Sequence, residues 1–130
     1  MTEKETIKDG LVEEFYDNGQ VSVRRNFKNG VIHGTWESYY ENGQLEQRRN
    51  YTYDKKEGLW EYYYEDGQLW IRGYSKNGKE DGLYEVYYTN GQLEKKQNYK
   101  NGKPDGLWEK FHENGQLQSR ENWKTGKLDG

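Results

Sequence analysis

The sequence predicts an all-β chain: an elongated, curved antiparallel β-meander of five 24-residue hairpin repeats. Three observations carry that expectation. Gly10, Gly34, Gly58, Gly82 and Gly106 recur at a fixed step of 24 residues, and Gly19, Gly43, Gly67, Gly91 and Gly115 keep the same step. Between the two series stand the runs LVEEFY, TWESYY, LWEYYY, LYEVYY and LWEKFH, whose Tyr, Trp, Phe and Val favour a pleated strand. Two glycine-bearing turns in every 24 residues leave no room for a helix of ordinary length.

Taken in order, residues 1–9 (MTEKETIKD) read as an atypical N-terminal cap on the array. The repeats follow at 10–33, 34–57, 58–81, 82–105 and 106–129. In each, the first strand meets Asn-Gly at 18–19, 42–43, 90–91 and 114–115, or Asp-Gly at 66–67. These dipeptides tolerate positive φ and predict two-residue type I′ hairpins. The returning strand starts Gln-Leu or Gln-Val and ends at Phe27, Tyr51, Tyr99 or Trp123. A second turn carries Gly30, Gly78, Gly102 or Gly126, with Pro104 where no ladder donor is needed. Repeats two and three depart from the pattern. Asp54 replaces the second-turn glycine, and repeat three reaches its aromatic at Tyr74, one place early, beside Gly73. That pairing predicts a β-bulge near Gly73.

A two-residue turn fixes the register and sets Tyr40 opposite Leu45. It also predicts five cross-strand ion pairs: Glu13–Arg24, Glu37–Arg48, Glu61–Arg72, Glu85–Lys96 and Glu109–Arg120. A carboxylate repeated in every copy is a ladder, since a catalytic one needs a single special environment; each pair is worth ~0.2–1 kcal/mol. Period-two counting places Val12, Trp36, Trp60, Tyr84 and Trp108 on one face, with Tyr16, Tyr40, Tyr64, Tyr88 and His112. It adds Val21, Leu45, Leu69, Leu93 and Leu117 to that face. The other face holds the ion pairs, flanked by Phe15, Tyr39, Tyr63, Tyr87 and Phe111. The first face is the richer core candidate, and the sheet must twist and curl over it. Trp36 and Trp60 are expected to serve that core equally.

Composition narrows the function. Charged residues make up 33% and apolar ones 30%, a balance that suggests disorder, but 5 Trp, 13 Tyr and 3 Phe contradict it. A net charge of −3 gives no global attraction to nucleic acid or anionic lipid. Cysteine is absent, which excludes disulfides and thiolate metal sites. No run reaches the ~20 apolar residues of a membrane helix. The polar start lacks the apolar core of a signal peptide, so the expected compartment is the cytoplasm unless a leader has been removed.

The pattern G-x-W-x-x-Y-Y-x-N-G-Q-L, an aromatic strand end and K-N-G-K-x-D-G resembles the MORN repeat family over residues 10–130. It looks closest to the bacterial variant associated with antitoxins of toxin–antitoxin systems. The resemblance implies one hairpin per repeat in a curved sheet, with protein-binding or membrane-associated roles.

Catalysis is not expected: His33 occupies a polar turn site, His112 fills a tyrosine slot, and no nucleophile–base constellation is present. Neither cofactor nor metal is expected. The aromatic ladder is first of all core, and its less buried part is a protein-binding groove with Trp36, Tyr40, Trp60, Tyr64, Tyr84, Tyr88 and Trp108 as candidates. Carbohydrate binding is the alternative, because aromatic-rich glycine repeats of cell-wall proteins are superficially similar; those run shorter and lack the Q-L start. A membrane adaptor needs a basic face, and Lys55-Lys56 and Lys95-Lys96 are only local clusters in an acidic chain. The expected partner is thus another protein, such as a toxin. Strand 116–123 at the C-terminal edge is expected to self-associate or to accept a partner's strand.

Overall fold

The computed structural model describes residues 9–129, so the expected cap at 1–9 lies outside the described residues except for Asp9. It is one open antiparallel sheet without a helix among the described residues. The long strands are β1 (Gly10–Phe15), β2 (Val21–Lys28), β3 (Val31–Tyr39) and β4 (Leu45–Thr52). There follow β5 (Lys55–Lys56), β6 (Gly58–Tyr63), β7 (Leu69–Lys76), β8 (Lys79–Glu80) and β9 (Gly82–Tyr87). The last are β10 (Leu93–Lys100), β11 (Lys103–Pro104), β12 (Gly106–Phe111), β13 (Leu117–Lys124) and β14 (Lys127–Leu128). Each long strand pairs with the long strand before and after it, a meander in sequence order.

The two-residue strands β5, β8 and β11 are the bent starts of the long strands that follow them. Between the pairs Arg48–Glu61 and Tyr51–Lys56, two residues of β4 face four of the next strand. Gly58 takes that bend at φ 82°, a backbone that side chains rarely adopt.

The turn types are reversed from the sequence expectation. At the first turn Tyr40 N–H donates to Gln44 O at 2.8 Å, and Gly43 N–H donates to Tyr40 O at 3.0 Å. Only Gly43 has positive φ there, so the loop is three residues long with a bulge, not a two-residue type I′ turn. The two-residue turn with both φ positive is the second one, as at Asn29 (53°) and Gly30 (82°). The added loop residue moves the register. Leu45 faces Tyr39 instead of Tyr40, while Glu37 stays opposite Arg48. Val21, Leu45, Leu69, Leu93 and Leu117 therefore lie on the ion-pair face, opposite Phe15, Tyr39, Tyr63, Tyr87 and Phe111.

Repeat three also differs from expectation. No bulge occurs at Gly73, which lies in regular register opposite Trp60; the irregularity is at Tyr62/Tyr63, as in the other hairpins. Ser75 occupies the strand-end position and Tyr74 points to the ion-pair face, where the other repeats carry Asn26, Asn50, Asn98 and Asn122. Nothing has been inserted. A β-carbon on Gly73 would stand 2.4 Å from the Trp60 ring, so Gly73 makes room for the indole.

Glu13, Arg24, Glu37, Arg48, Glu61, Arg72, Glu85, Lys96, Glu109 and Arg120 form one unbroken row across the sheet. The charge contacts do not all stay within a repeat. Arg24 meets Glu13 at 2.9 Å, Arg48 meets Glu37 at 3.1 Å and Arg120 meets Glu109 at 2.8 Å. Arg72 instead reaches forward to Glu85 at 2.8 Å, and Glu61 has Arg48 at 3.8 Å. Lys96 has no carboxylate within 4.0 Å among the described residues, so Glu61–Arg72 and Glu85–Lys96 are neighbours in the row without being ion pairs. Arg24 and Arg48 thus bridge two acids each, Arg24 reaching Glu37 at 4.0 Å as well, whereas Arg72 and Arg120 hold one.

Side chains also stitch successive repeats. Tyr16, Tyr40, Tyr64 and Tyr88 hydroxyls donate to Tyr39, Tyr63, Tyr87 and Phe111 carbonyls at 2.5–2.7 Å. Asn18, Asn42 and Asn90 donate to Glu41, Glu65 and Glu113 carbonyls, and Asn26, Asn50 and Asn98 to Thr35, Leu59 and Leu107. The junction of repeats three and four lacks both amides, because Asp66 and Tyr74 stand in those places. Asp66→Asn should restore the donor to Thr89 O and raise stability by ~0.5–1.5 kcal/mol, the net worth of one hydrogen bond. A denaturant midpoint unchanged by that substitution would mean the turn cannot close the contact.

At the C-terminal side, β14 pairs with only Trp123 and Lys124 of β13. Among the described residues nothing pairs with the outer edge of β13 over 117–121.

Candidate interaction surface

The two faces differ in how completely they satisfy themselves. The ion-pair face carries the row of acids and bases, paired except at Lys96 among the described residues, with Phe15, Tyr39, Tyr63, Tyr87 and Phe111 beside it. The opposite face is aromatic and carries Trp36, Trp60, Tyr84 and Trp108. Among the described residues nothing lies over it, and most of its rings are half-buried. Trp60, at 5% exposure, and Val86, at 7%, are the only buried apolar side chains among the described residues. Of the sequence candidates, Trp60 is buried, whereas Trp36, Tyr40, Tyr64, Tyr84, Tyr88 and Trp108 are half-buried. Trp36 and Trp60 are therefore not equivalent, because only Trp60 has a glycine partner to sink onto.

Trp60, Tyr84, Tyr99, Trp108 and Trp123 form a continuous row with ring centroids 5.3–6.0 Å apart. Edge-to-face and tilted pairs at such distances add ~0.5–1.5 kcal/mol each. Trp70, 39% exposed, stacks on Tyr64 at 5.4 Å and lies 6.4 Å from Tyr62. Sequence reasoning passed over Trp70 and Tyr62. The signal was available, since Trp70 is the one aromatic at a position held elsewhere by Ser22, Glu46, Glu94 and Gln118.

Toward the N-terminal end, cations replace rings in the row. Arg49 lies 4.6 Å over Trp36 and 5.7 Å from Tyr62, and Lys56 lies 4.0 Å over Trp60. Burial pulls the Lys56 ammonium below the usual lysine range, with Glu80 opposing and Arg49 adding to the shift. Burial likewise pushes the Glu80 carboxyl up, with Lys56 opposing. Among the described residues five buried polar atoms have no hydrogen-bond partner: Arg25 Nε, Arg49 Nε, Trp60 Nε1, Ser75 Oγ and Trp123 Nε1. All belong to residues of this aromatic face.

Burial also raises the phenols of Tyr39, Tyr40, Tyr63, Tyr64, Tyr84, Tyr87 and Tyr99 above 10.0. The neutral phenol is thus favoured in the fold. Its contribution is fully present below the unfolded tyrosine pKa of ~10 and is lost as pH rises through the folded values. Phenolate absorbance should therefore rise together with loss of β circular dichroism above pH ~10. Full phenolate formation with the sheet intact would contradict it.

The histidines take structural parts. His33 Nδ1 accepts from Tyr53 N–H at 3.0 Å, the acceptor role that Glu57, Asp81 and Asp105 play for Asn77, Asn101 and Thr125. His112 is exposed at a first turn, and its backbone alone closes that turn. Among the described residues no cluster of three His, Asp or Glu could hold a metal.

A family model described as a MORN repeat variant matches residues 8–29, 32–53, 56–79, 80–101 and 104–125. The chain belongs to the MORN repeat family. Each matched segment covers one MORN hairpin and its turn, in phase with the observed repeat. The family is a non-enzymatic repeat scaffold associated with protein or membrane binding. No curated protein matches the chain.

Proposed function

We propose that this MORN array is a scaffold that binds another protein through its aromatic face. The observation that supports the reading is the contrast between faces. One face lines up a row of acids and bases that mostly pair with each other, while the other carries Trp36, Trp60, Trp70, Tyr84 and Trp108 and, among the described residues, the buried polar atoms without a hydrogen-bond partner. Interface anchors are typically aromatic residues and arginine in partly desolvated settings, and this face supplies both. Affinity capture followed by mass spectrometry tests it, using wild type beside Trp70→Gln on the aromatic face and Tyr74→Ser on the ion-pair face. A discrete protein should be retained, about tenfold more weakly by Trp70→Gln and unchanged by Tyr74→Ser. Retention on glycans or vesicles alone would overturn the reading.

The outer edge of β13 favours a second mode, strand addition by a partner or by a second copy along residues 117–121. Sedimentation over a hundredfold range of concentration should show weak self-association; a strict monomer with rapid amide exchange at 117–121 would sink it.

A further inference from the structure

We infer that Arg49 and Lys56 form a carboxylate-binding site on the aromatic face, built to take an acidic side chain of a bound protein. This rests on the reading of that face as a protein-binding surface and names the chemistry of the partner.

The chain has six arginines. Arg24, Arg25, Arg48, Arg72 and Arg120 each have a carboxylate within 3.1 Å. Arg49 has none within 4.0 Å among the described residues. Its guanidinium is held by neutral acceptors instead: Nη1 donates to Tyr51 Oη at 3.2 Å, and Nη2 donates to Tyr62 Oη at 3.1 Å and to Gln47 Oε1. Trp36 lies beneath it. The side chain is thus fixed in position without being neutralised. Lys56, half-buried against Trp60, has no carboxylate within 4.0 Å among the described residues either; burial lowers the pKa of its ammonium, Glu80 opposes that, and Arg49 adds a smaller lowering effect. Glu80 is the acid that acts on Lys56, from beyond salt-bridge distance.

Two like charges in a partly desolvated aromatic setting repel more strongly than in water, because the effective dielectric is lower. A shared anion removes that penalty. A guanidinium already locked by three hydrogen bonds loses little further entropy on binding it. The equivalent positions in the later repeats are Gly73, Gln97 and Glu121, so the guanidinium is not repeated there, although Lys95 and Lys110 lie opposite one another further along the same face.

The test is an NMR titration with two probe peptides, acetyl-Glu-Leu-Glu-Leu-amide and acetyl-Gln-Leu-Gln-Leu-amide. The acidic peptide should produce saturable shifts at Arg49 Nε–H and at the Trp36 and Trp60 indoles, and the glutamine peptide should not. Arg49→Gln should weaken binding about tenfold or more, the effect of losing a hydrogen bond to a charged group. Arg49→Lys, which keeps the charge without the planar fork, should fall between. Equal responses to both peptides, equal responses to acetate and to the acidic peptide, or acidic-peptide shifts that leave Arg49 unmoved would each overturn the site. A captured partner held equally well by wild type and Arg49→Gln would overturn it while leaving the protein-binding role intact. Absence of any captured partner would count against that role, and the peptide result would stand separately.

Discussion

Replacing Trp60 by alanine is expected to remove about 3–5 kcal/mol of stability, the range for truncating a large buried aromatic. The indole is the most deeply buried ring of the sheet and fills the space that Gly73 leaves open. It also touches Tyr62, Tyr84 and Lys56. In a single-layer sheet few other side chains can move in to fill the hole. Trp36→Ala should cost less, because Trp36 is half-buried and has Arg25 and Arg49 as cross-strand partners instead of glycine. Gly73→Ala should destabilise in the wild-type background, since its β-carbon meets the ring at 2.4 Å. The same substitution should be almost harmless once Trp60 is alanine, and a double-mutant cycle reads the coupling directly. Chemical denaturation of the four proteins measures all of this. A Trp60→Ala midpoint equal to wild type, with partner capture lost, would make Trp60 a contact residue and not a core one.

Arg72→Ala should be the costliest cut in the charge row, at about 1.5–3 kcal/mol for lost hydrogen bonds to a charged group. Arg72 donates to Glu85 through Nε at 3.1 Å and Nη2 at 2.8 Å, and Glu85 is buried. The pair spans the junction of repeats three and four, where Asp66 and Tyr74 have removed both asparagine links. Truncating Arg72 therefore leaves a buried carboxylate unpaired at the most weakly stitched seam. Arrays of this kind are stabilised by nearest-neighbour interfaces, so the unfolding transition should broaden or split. Arg24→Ala is the comparison, since Glu13 opposite it is exposed; it should cost well under 1 kcal/mol. Equal, small losses for both variants would show that burial of Glu85 does not matter.

The period, the acid facing a base within each repeat and the position of every turn were legible because each depends only on spacing; the joining of those pairs into one row across repeats was not. Glu37 stays opposite Arg48 whichever first turn is used, since the bulge lies between that pair and the loop. The faces of the leucines were not legible. Asn-Gly suits both a two-residue type I′ turn and a three-residue turn with glycine at positive φ, and one loop residue reverses the side on which Leu45 emerges. Gly73 was misread for a related reason. An isolated glycine in a strand signals either a bulge or a close approach, and only the position of Trp60 decides between them. On the aromatic face, the repeated aromatics could be read by counting. Arg49 could not be singled out, because what sets it apart is lacking, among the described residues, the carboxylate that the other arginines have, and that is a matter of distance.

Two neighbouring residues report most directly on which face binds the partner. Tyr62 lies on the aromatic face against Trp60 and Trp70, while Tyr63 lies opposite Leu69 on the ion-pair face, and both are half-buried. A photo-crosslinking phenylalanine analogue placed at either position samples one face at a time. With a captured partner present, position 62 should crosslink to it and position 63 should not. Crosslinking from position 63 alone, or equally from both, would contradict the assignment of the aromatic face as the binding surface.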